Sequence, residues 1–166
     1  MKQFFLILNG PSCGGKSTTA DAIKEKLPKV FNARQDRIKW LISDYGLGKY
    51  KTVVEEMVFS MIEIALNNKL SIIKEGVLDK PTKFETLAKK HKVPFFIANI
   101  SAPEETLQKR FKKRLVAVKK GAKIANTSQE RFNFLMKLHE ETKTKTELEF
   151  DSSKITPEEI ANKIIN

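Results

Sequence analysis

The sequence predicts an α/β fold in three layers, a parallel sheet with helices on both faces. Three observations lead there. Short apolar runs alternate with helix-patterned segments along all 166 residues, the order expected of strand–helix–strand units. The runs are apolar almost throughout rather than alternating with polar residues, as strands covered on both faces require. The octapeptide Gly10-Pro11-Ser12-Cys13-Gly14-Gly15-Lys16-Ser17 fits the pattern GxxxxGK[ST] at every fixed position, between the first apolar run and the first helix.

In chain order, residues 3–9, with Phe4-Phe5-Leu6-Ile7-Leu8 at their centre, read as the first strand. A helix follows over residues 16–26 and stops at Leu27-Pro28, because the residue before proline resists helical geometry. Residues 30–33 form a second strand and residues 36–43 a helix, closed by the glycine-punctuated Asp44-Tyr45-Gly46-Leu47-Gly48. Over residues 52–67, Val54, Val58, Met61, Ile62 and Ala65 make an apolar helical stripe. Leu70-Ser71-Ile72-Ile73 is the next strand and delivers Glu75-Gly76 to its carboxyl end. Residues 81–90 are helical and residues 93–100 form a strand.

Ser101-Ala102-Pro103-Glu104 reads as a helix start, with serine as cap, proline in the first turn and Glu104 closing a capping box. That helix carries Arg110 and Arg114. Residues 115–127, containing Lys119-Lys120-Gly121-Ala122-Lys123, read as an inserted basic flap. Thr127-Ser128-Gln129-Glu130 suggests a second capping box opening a helix to residue 141. Residues 148–150 supply a final strand, and Thr156-Pro157-Glu158-Glu159 starts the last helix. No repeat or linker interrupts the chain, so residues 1–166 are expected to form one domain.

Composition narrows the function classes. Hydrophobic residues make up 40%, an ordinary globular proportion rather than a disordered one. No apolar stretch approaches a bilayer span. Met1-Lys2-Gln3 and five apolar residues run into Asn9-Gly10 before a secretory core develops, so a cytoplasmic protein without a membrane partner is expected. The net charge of +11, from 31 Lys and Arg against 20 Asp and Glu, favours anionic partners. Nucleic acid meets that description, and so do a nucleotide and a phosphorylated acceptor. Cys13 is the sole cysteine and fits as a small loop residue. His91 and His139 lack metal-ligand spacing, which argues against zinc.

The octapeptide carries the chemistry. A helix N-terminus leaves its first N–H groups unpaired and binds phosphate. Gly10, Gly14 and Gly15 clear side chains from a backbone that wraps the anion, with Pro11, Ser12 and Cys13 completing the loop. Lys16 reaches the β- and γ-phosphates, Ser17 offers its hydroxyl to Mg²⁺, and Thr18 can touch an inner phosphate. ATP and Mg²⁺ are the expected cofactors. Asp36 and Lys39, spaced i,i+3, share one helix face beside this loop.

The chain resembles the small P-loop kinase superfamily, which includes nucleoside and nucleotide kinases, shikimate-kinase-like enzymes and polynucleotide kinases. The resemblance implies a three-layer P-loop NTPase fold, a five-stranded parallel sheet ordered 2-3-1-4-5, and a basic lid over the donor phosphates, here residues 115–127. Hydroxyl kinases of this group carry an Asp-x-x-Arg arrangement that binds or activates the acceptor. The match here is Asp36-Arg37-Ile38-Lys39, with lysine in place of arginine, a change that removes the bidentate fork. Glu75 resembles the acidic strand-end position, usually aspartate, that serves the metal or the acceptor. Arg110 and Arg114 resemble the lid arginines that stabilise transferring phosphoryl charge or pack over adenine.

The resulting expectation is an ATP- and Mg²⁺-dependent kinase acting on a small nucleoside, nucleotide or hydroxyl metabolite. Lys16, Asp36, Arg110 and Arg114 would be catalytic. Asp36, Arg37, Lys39 and Glu75 would bind the acceptor, with Ser17 and Glu75 at the metal. A polynucleotide 5′-hydroxyl kinase and a nucleotide-regulated, nucleic-acid-binding NTPase are the alternatives.

Overall fold

A computed structural model describes residues 2–45, 49–76, 81–120, 127–142 and 146–166. Five strands form one sheet: β1 (Phe5–Asn9), β2 (Val30–Ala33), β3 (Ser71–Gly76), β4 (Phe95–Ser101) and β5 (Leu148–Asp151). They run parallel in the order β2-β3-β1-β4-β5. Both the three-layer fold and the strand order expected from the sequence are therefore present. In the central strand, Leu6 stands opposite Ile73 on one side and Phe96 on the other.

Alternation along β1 divides the core into two layers, because successive side chains of a strand point to opposite faces. Phe5 and Ile7 enter a cluster with Val58, Ile62 and Phe84, contributed by α3 (Lys51–Asn67) and α4 (Thr82–Lys90). Leu6 and Leu8 enter the opposite cluster with Ile23 and Ile160, from α1 (Lys16–Lys26) and α7 (Pro157–Ile165). The Phe5 ring meets Phe84 and Phe95 edge-on at 5.9 and 5.5 Å, a geometry worth about 1 kcal/mol per pair beyond area burial. A third cluster joins α5 (Glu104–Lys119) to α6 (Gln129–Thr142) through Phe111 and Phe132, stacked at 4.5 Å, and Cys13 packs against it.

Several boundaries differ from the sequence expectation. The helix after β2 is only α2 (Gln35–Lys39). Beyond it, Leu41 N–H bonds to Ile38 O and Ile42 N–H to Lys39 O, the tight i→i+3 bonds of a turn that is unwinding. Ser101 is not a helix cap. It stays in the sheet opposite Asp151 and its carbonyl accepts from Ser152 N–H at 2.8 Å, so α5 starts after an extended Pro103 without a side-chain cap. At α6 the capping hydroxyl belongs to Ser128, which accepts from Arg131 N–H at 3.1 Å, one residue later than the expected Thr127–Glu130 pair. Among the described residues, only α7 carries the full capping box, between Thr156 and Glu159. Residues 115–119 are not flap but the last turns of α5. Most of the remaining proposed flap, including Gly121, Ala122 and Lys123, lies outside the described residues.

Candidate active site at the carboxyl ends of the strands

The strands deliver their carboxyl ends to a cleft of about 880 Å³, the place where open parallel sheets gather ligands. Its floor is the loop between β1 and α1. Gly10 has φ +152°, and a Cβ there would stand 2.0 Å from the Ile100 carbonyl oxygen. The loop thus rests directly on the backbone at the end of β4. Gly15, at φ +103°, is the N-cap of α1, and turns the chain so that the helix's first N–H groups open towards the cleft.

Lys16 lies back along the loop, donating to the carbonyls of Gly10 at 2.8 Å and Pro11 at 2.7 Å. Burial pushes its ammonium down to about 8, with Arg114 acting in the same direction and Glu75 and Asp36 opposing. The next residue, Ser17, donates its hydroxyl to a Glu75 carboxylate oxygen at 2.5 Å. Two hard oxygen donors therefore converge at the mouth of the loop, the donor chemistry that suits Mg²⁺. Among the described residues no group of three or more His, Cys, Asp or Glu gathers into a metal-binding cluster.

Arg34, just beyond β2, ties this corner together. Its Nε donates to Glu75 at 2.6 Å, and its Nη2 to Ser17 O at 2.6 Å and to Asp21 at 2.8 Å. Burial opposes its charge, but the bonds to Glu75 and Asp21 prevail and hold its pKa above the ordinary value. Across the cleft, Asp36 and Lys39 pair at 2.6 Å, as their i,i+3 spacing implies. Tyr45 also lines the cleft, whereas Trp40 is exposed and Tyr50 caps α3.

Two arginines close the remaining side. Arg110 donates to Ser152 Oγ at 2.8 Å, Ser152 O at 2.7 Å and Cys13 O at 3.2 Å. Arg114 reaches Ser12 Oγ at 3.2 Å. The structure thus brings Ser12 to Thr18, Asp36, Lys39, Glu75, Arg110 and Arg114 to one cleft. Gly10 and Pro11 support the loop without lining the cleft, and Arg37 is exposed on α2 outside it.

Three further residues were not singled out from sequence. Arg34 stands at a strand's carboxyl end, where ligands collect, and that position was the available signal. Lys74 interrupts an otherwise apolar buried strand, an equally readable oddity. It is only 5% exposed, donates to Glu75 O at 2.6 Å, and burial lowers its pKa to about 8. Ser152 is set by β4–β5 pairing, and nothing local in Asp151-Ser152-Ser153 announces it.

The sequence profile of a family described as an AAA domain matches residues 5–137. The chain belongs to that family. It has the fold of the small P-loop kinase superfamily, as its phosphate loop and strand order together require. No curated protein matches this AAA-domain chain significantly. Among solved structures, it is similar to a Chloroflexus aurantiacus protein provisionally assigned as a kinase, at 15% identity over 99% of this chain and 98% of that one, with a TM-score of 0.70. Shikimate kinase from Aquifex aeolicus gives 16% identity over 98% and 94%, with a TM-score of 0.61. A chain of the Pnkp1/Rnl/Hen1 RNA repair complex gives 18% over 86% of this chain but only 45% of that one, with a TM-score of 0.67. These likenesses describe the fold. No helix among the described residues is long and apolar enough to cross a membrane.

Proposed function

We propose that this chain is an ATP- and Mg²⁺-dependent phosphotransferase that moves the γ-phosphate to a small-molecule hydroxyl or phosphate. The observation that carries this reading is the sharing of one cleft by the phosphate loop and the Asp36–Lys39 pair. Donor and acceptor machinery in one cleft is what phosphoryl transfer requires, since its catalysis is mainly alignment and charge stabilisation.

On this reading, the phosphates draw Lys16 from the Gly10 and Pro11 carbonyls and take the N–H groups at the start of α1. Ser17 and Glu75 would hold Mg²⁺, which would supply positive charge to offset that of the phosphates. Arg34 fixes Glu75 from behind. Asp36 orients an acceptor hydroxyl and takes its proton. The acceptor oxygen bonds to the γ-phosphorus as the bond to the β–γ bridging oxygen breaks, and ADP leaves with that electron pair. Arg110 gives three of its five N–H donors to Ser152 and Cys13 and so positions the loop. Arg114, with a single hydroxyl partner, keeps donors for the developing phosphoryl charge.

The test is transfer of labelled γ-phosphate from ATP with Mg²⁺ into nucleosides, nucleotides, hydroxyl metabolites and 5′-hydroxyl RNA or DNA. A labelled small molecule is expected, and Asp36→Asn should lower its kcat by about 10²-fold or more. Label on the oligonucleotide alone would replace the small-molecule reading with polynucleotide kinase. Phosphate release without any labelled acceptor, stimulated by RNA or DNA, would refute phosphotransfer in favour of a nucleic-acid-linked NTPase.

A further inference from the structure

Lys74 has no task in the mechanism above, yet its position is unusual for a lysine. It occupies a buried place on β3, one residue before Glu75, and its side chain lines the cleft. Burying an ammonium without a counter-charge is strongly unfavourable. Its single hydrogen bond among the described residues is to the neutral carbonyl of Glu75. No described carboxylate lies within ion-pair distance of it.

The nearby acids are engaged elsewhere. Glu75 is held by Ser17 and Arg34, and Asp36 by Lys39. Lys83 lines the same side of the cleft, its ammonium 5.2 Å from the Phe84 ring centroid. Burial weighs most against the Lys74 charge; Glu75 and Asp36 favour that charge from a distance, and Lys83 and Lys39 oppose it. Three cations are thus set around a floor whose two carboxylates already have partners. A lysine kept only to pack β3 would serve worse than valine or isoleucine there.

We propose that Lys74 forms an oxyanion subsite on the acceptor side, so that the acceptor carries a carboxylate or phosphate in addition to the group that is phosphorylated. This rests on the phosphotransfer reading for the word acceptor, but the anion site itself does not depend on catalysis. Lys74 has two N–H donors beyond the one given to Glu75 O, enough to bind two oxygens of one anionic group. Its depth favours a compact anion that enters the cleft over a polymer backbone held at the rim.

Two measurements test it. In the first, inorganic phosphate and, separately, acetate are titrated calorimetrically into protein whose donor side is filled with Mg²⁺ and a non-hydrolysable ATP analogue. At least one should bind saturably, and Lys74→Gln should weaken it by roughly tenfold or more. Lys137→Gln, on an exposed part of α6, should not. Absence of saturable binding by either anion, or equal binding by Lys74→Gln, overturns the subsite. Lys74→Met, which restores an apolar strand residue, serves if the Gln variant melts early.

In the second, γ-phosphate transfer is compared for matched pairs: alcohol and hydroxy acid, sugar and sugar phosphate, nucleoside and nucleotide, with a 5′-hydroxyl oligonucleotide alongside. The charged member should be preferred by roughly 10²-fold in kcat/KM, and Lys74→Gln should remove that preference mainly through KM. The favoured pair identifies carboxylate or phosphate. Equal transfer to neutral members, or best transfer to the oligonucleotide unchanged in Lys74→Gln, overturns the subsite and leaves phosphotransfer standing. Saturable, Lys74-dependent anion binding with no transfer to any acceptor has the opposite meaning: the anion site stands and the phosphotransfer reading falls.

Discussion

Lys16 should make nucleotide binding take up a proton. In the free protein its ammonium is buried against the Gly10 and Pro11 carbonyls and titrates at about 8 instead of 10.5. That gap corresponds to about 3 kcal/mol against the charged form. Phosphates favour the charged form, so binding raises the pKa again. Well below pH 8, Lys16 is protonated both before and after binding, and affinity is flat with pH. Above pH 8 the free protein must first collect a proton, and apparent affinity falls by up to about tenfold per pH unit. Calorimetry of Mg²⁺–ADP in buffers of different ionisation enthalpy reads the uptake directly. About half a proton per nucleotide is expected at pH 8 and nearly one at about pH 9.5. Lys16→Met should abolish the uptake, whereas Lys74→Gln, which leaves Lys16 against the loop carbonyls, should retain it. No uptake at pH 9.5 in the unmutated protein would refute the argument that burial controls this ammonium.

The same shift has a consequence for folding. A lysine pKa that is lower folded than unfolded makes the chain more stable as pH rises from about 8 towards 10.5, and Lys74 acts in the same direction; a denaturation series that lost stability through this window in Lys16→Met, Lys74→Met and parent alike would count against both shifts. Gly10→Ala should destabilise by more than about 3 kcal/mol, because the new methyl collides with backbone at Ile100; an unchanged melting temperature would contradict the close approach. Glu75→Gln should weaken Mg²⁺-dependent nucleotide binding by about tenfold or more while sparing metal-free binding, as calorimetry with and without EDTA would show. Thr156→Ala should cost about 1 kcal/mol by breaking the α7 capping box, measured by urea denaturation, with nucleotide affinity unaltered.

The sheet was legible because its central strands begin as apolar runs, and the strand order followed from the resemblance rather than from periodicity. The donor side was legible for a different reason: a phosphate loop is one contiguous segment, so its chemistry and its sequence coincide. The acceptor corner is assembled from three segments, and only part of it could be read. Asp36 and Lys39 declare themselves by helical spacing. Arg34 bonds Glu75 and Ser17 across 41 and 17 residues, and no local pattern encodes such distances. Ser101 was misread because its serine–proline–acid pattern suits a cap equally well, and β4–β5 pairing took the residue first. Ser152 illustrates the same limit, since its role exists only once β5 lies beside β4.

The seat of the phosphate loop has an uneven vulnerability. One side of the contact is the Ile100 carbonyl, an atom every amino acid possesses, and the other is a position where anything larger than hydrogen collides. Position 100 can therefore exchange one β-branched apolar side chain for another without altering what the loop rests on. Position 10 has no such freedom. A survey of tolerated substitutions across this chain should show a permissive residue and an intolerant one in direct contact, and scoring each by its own side chain would miss why they belong together.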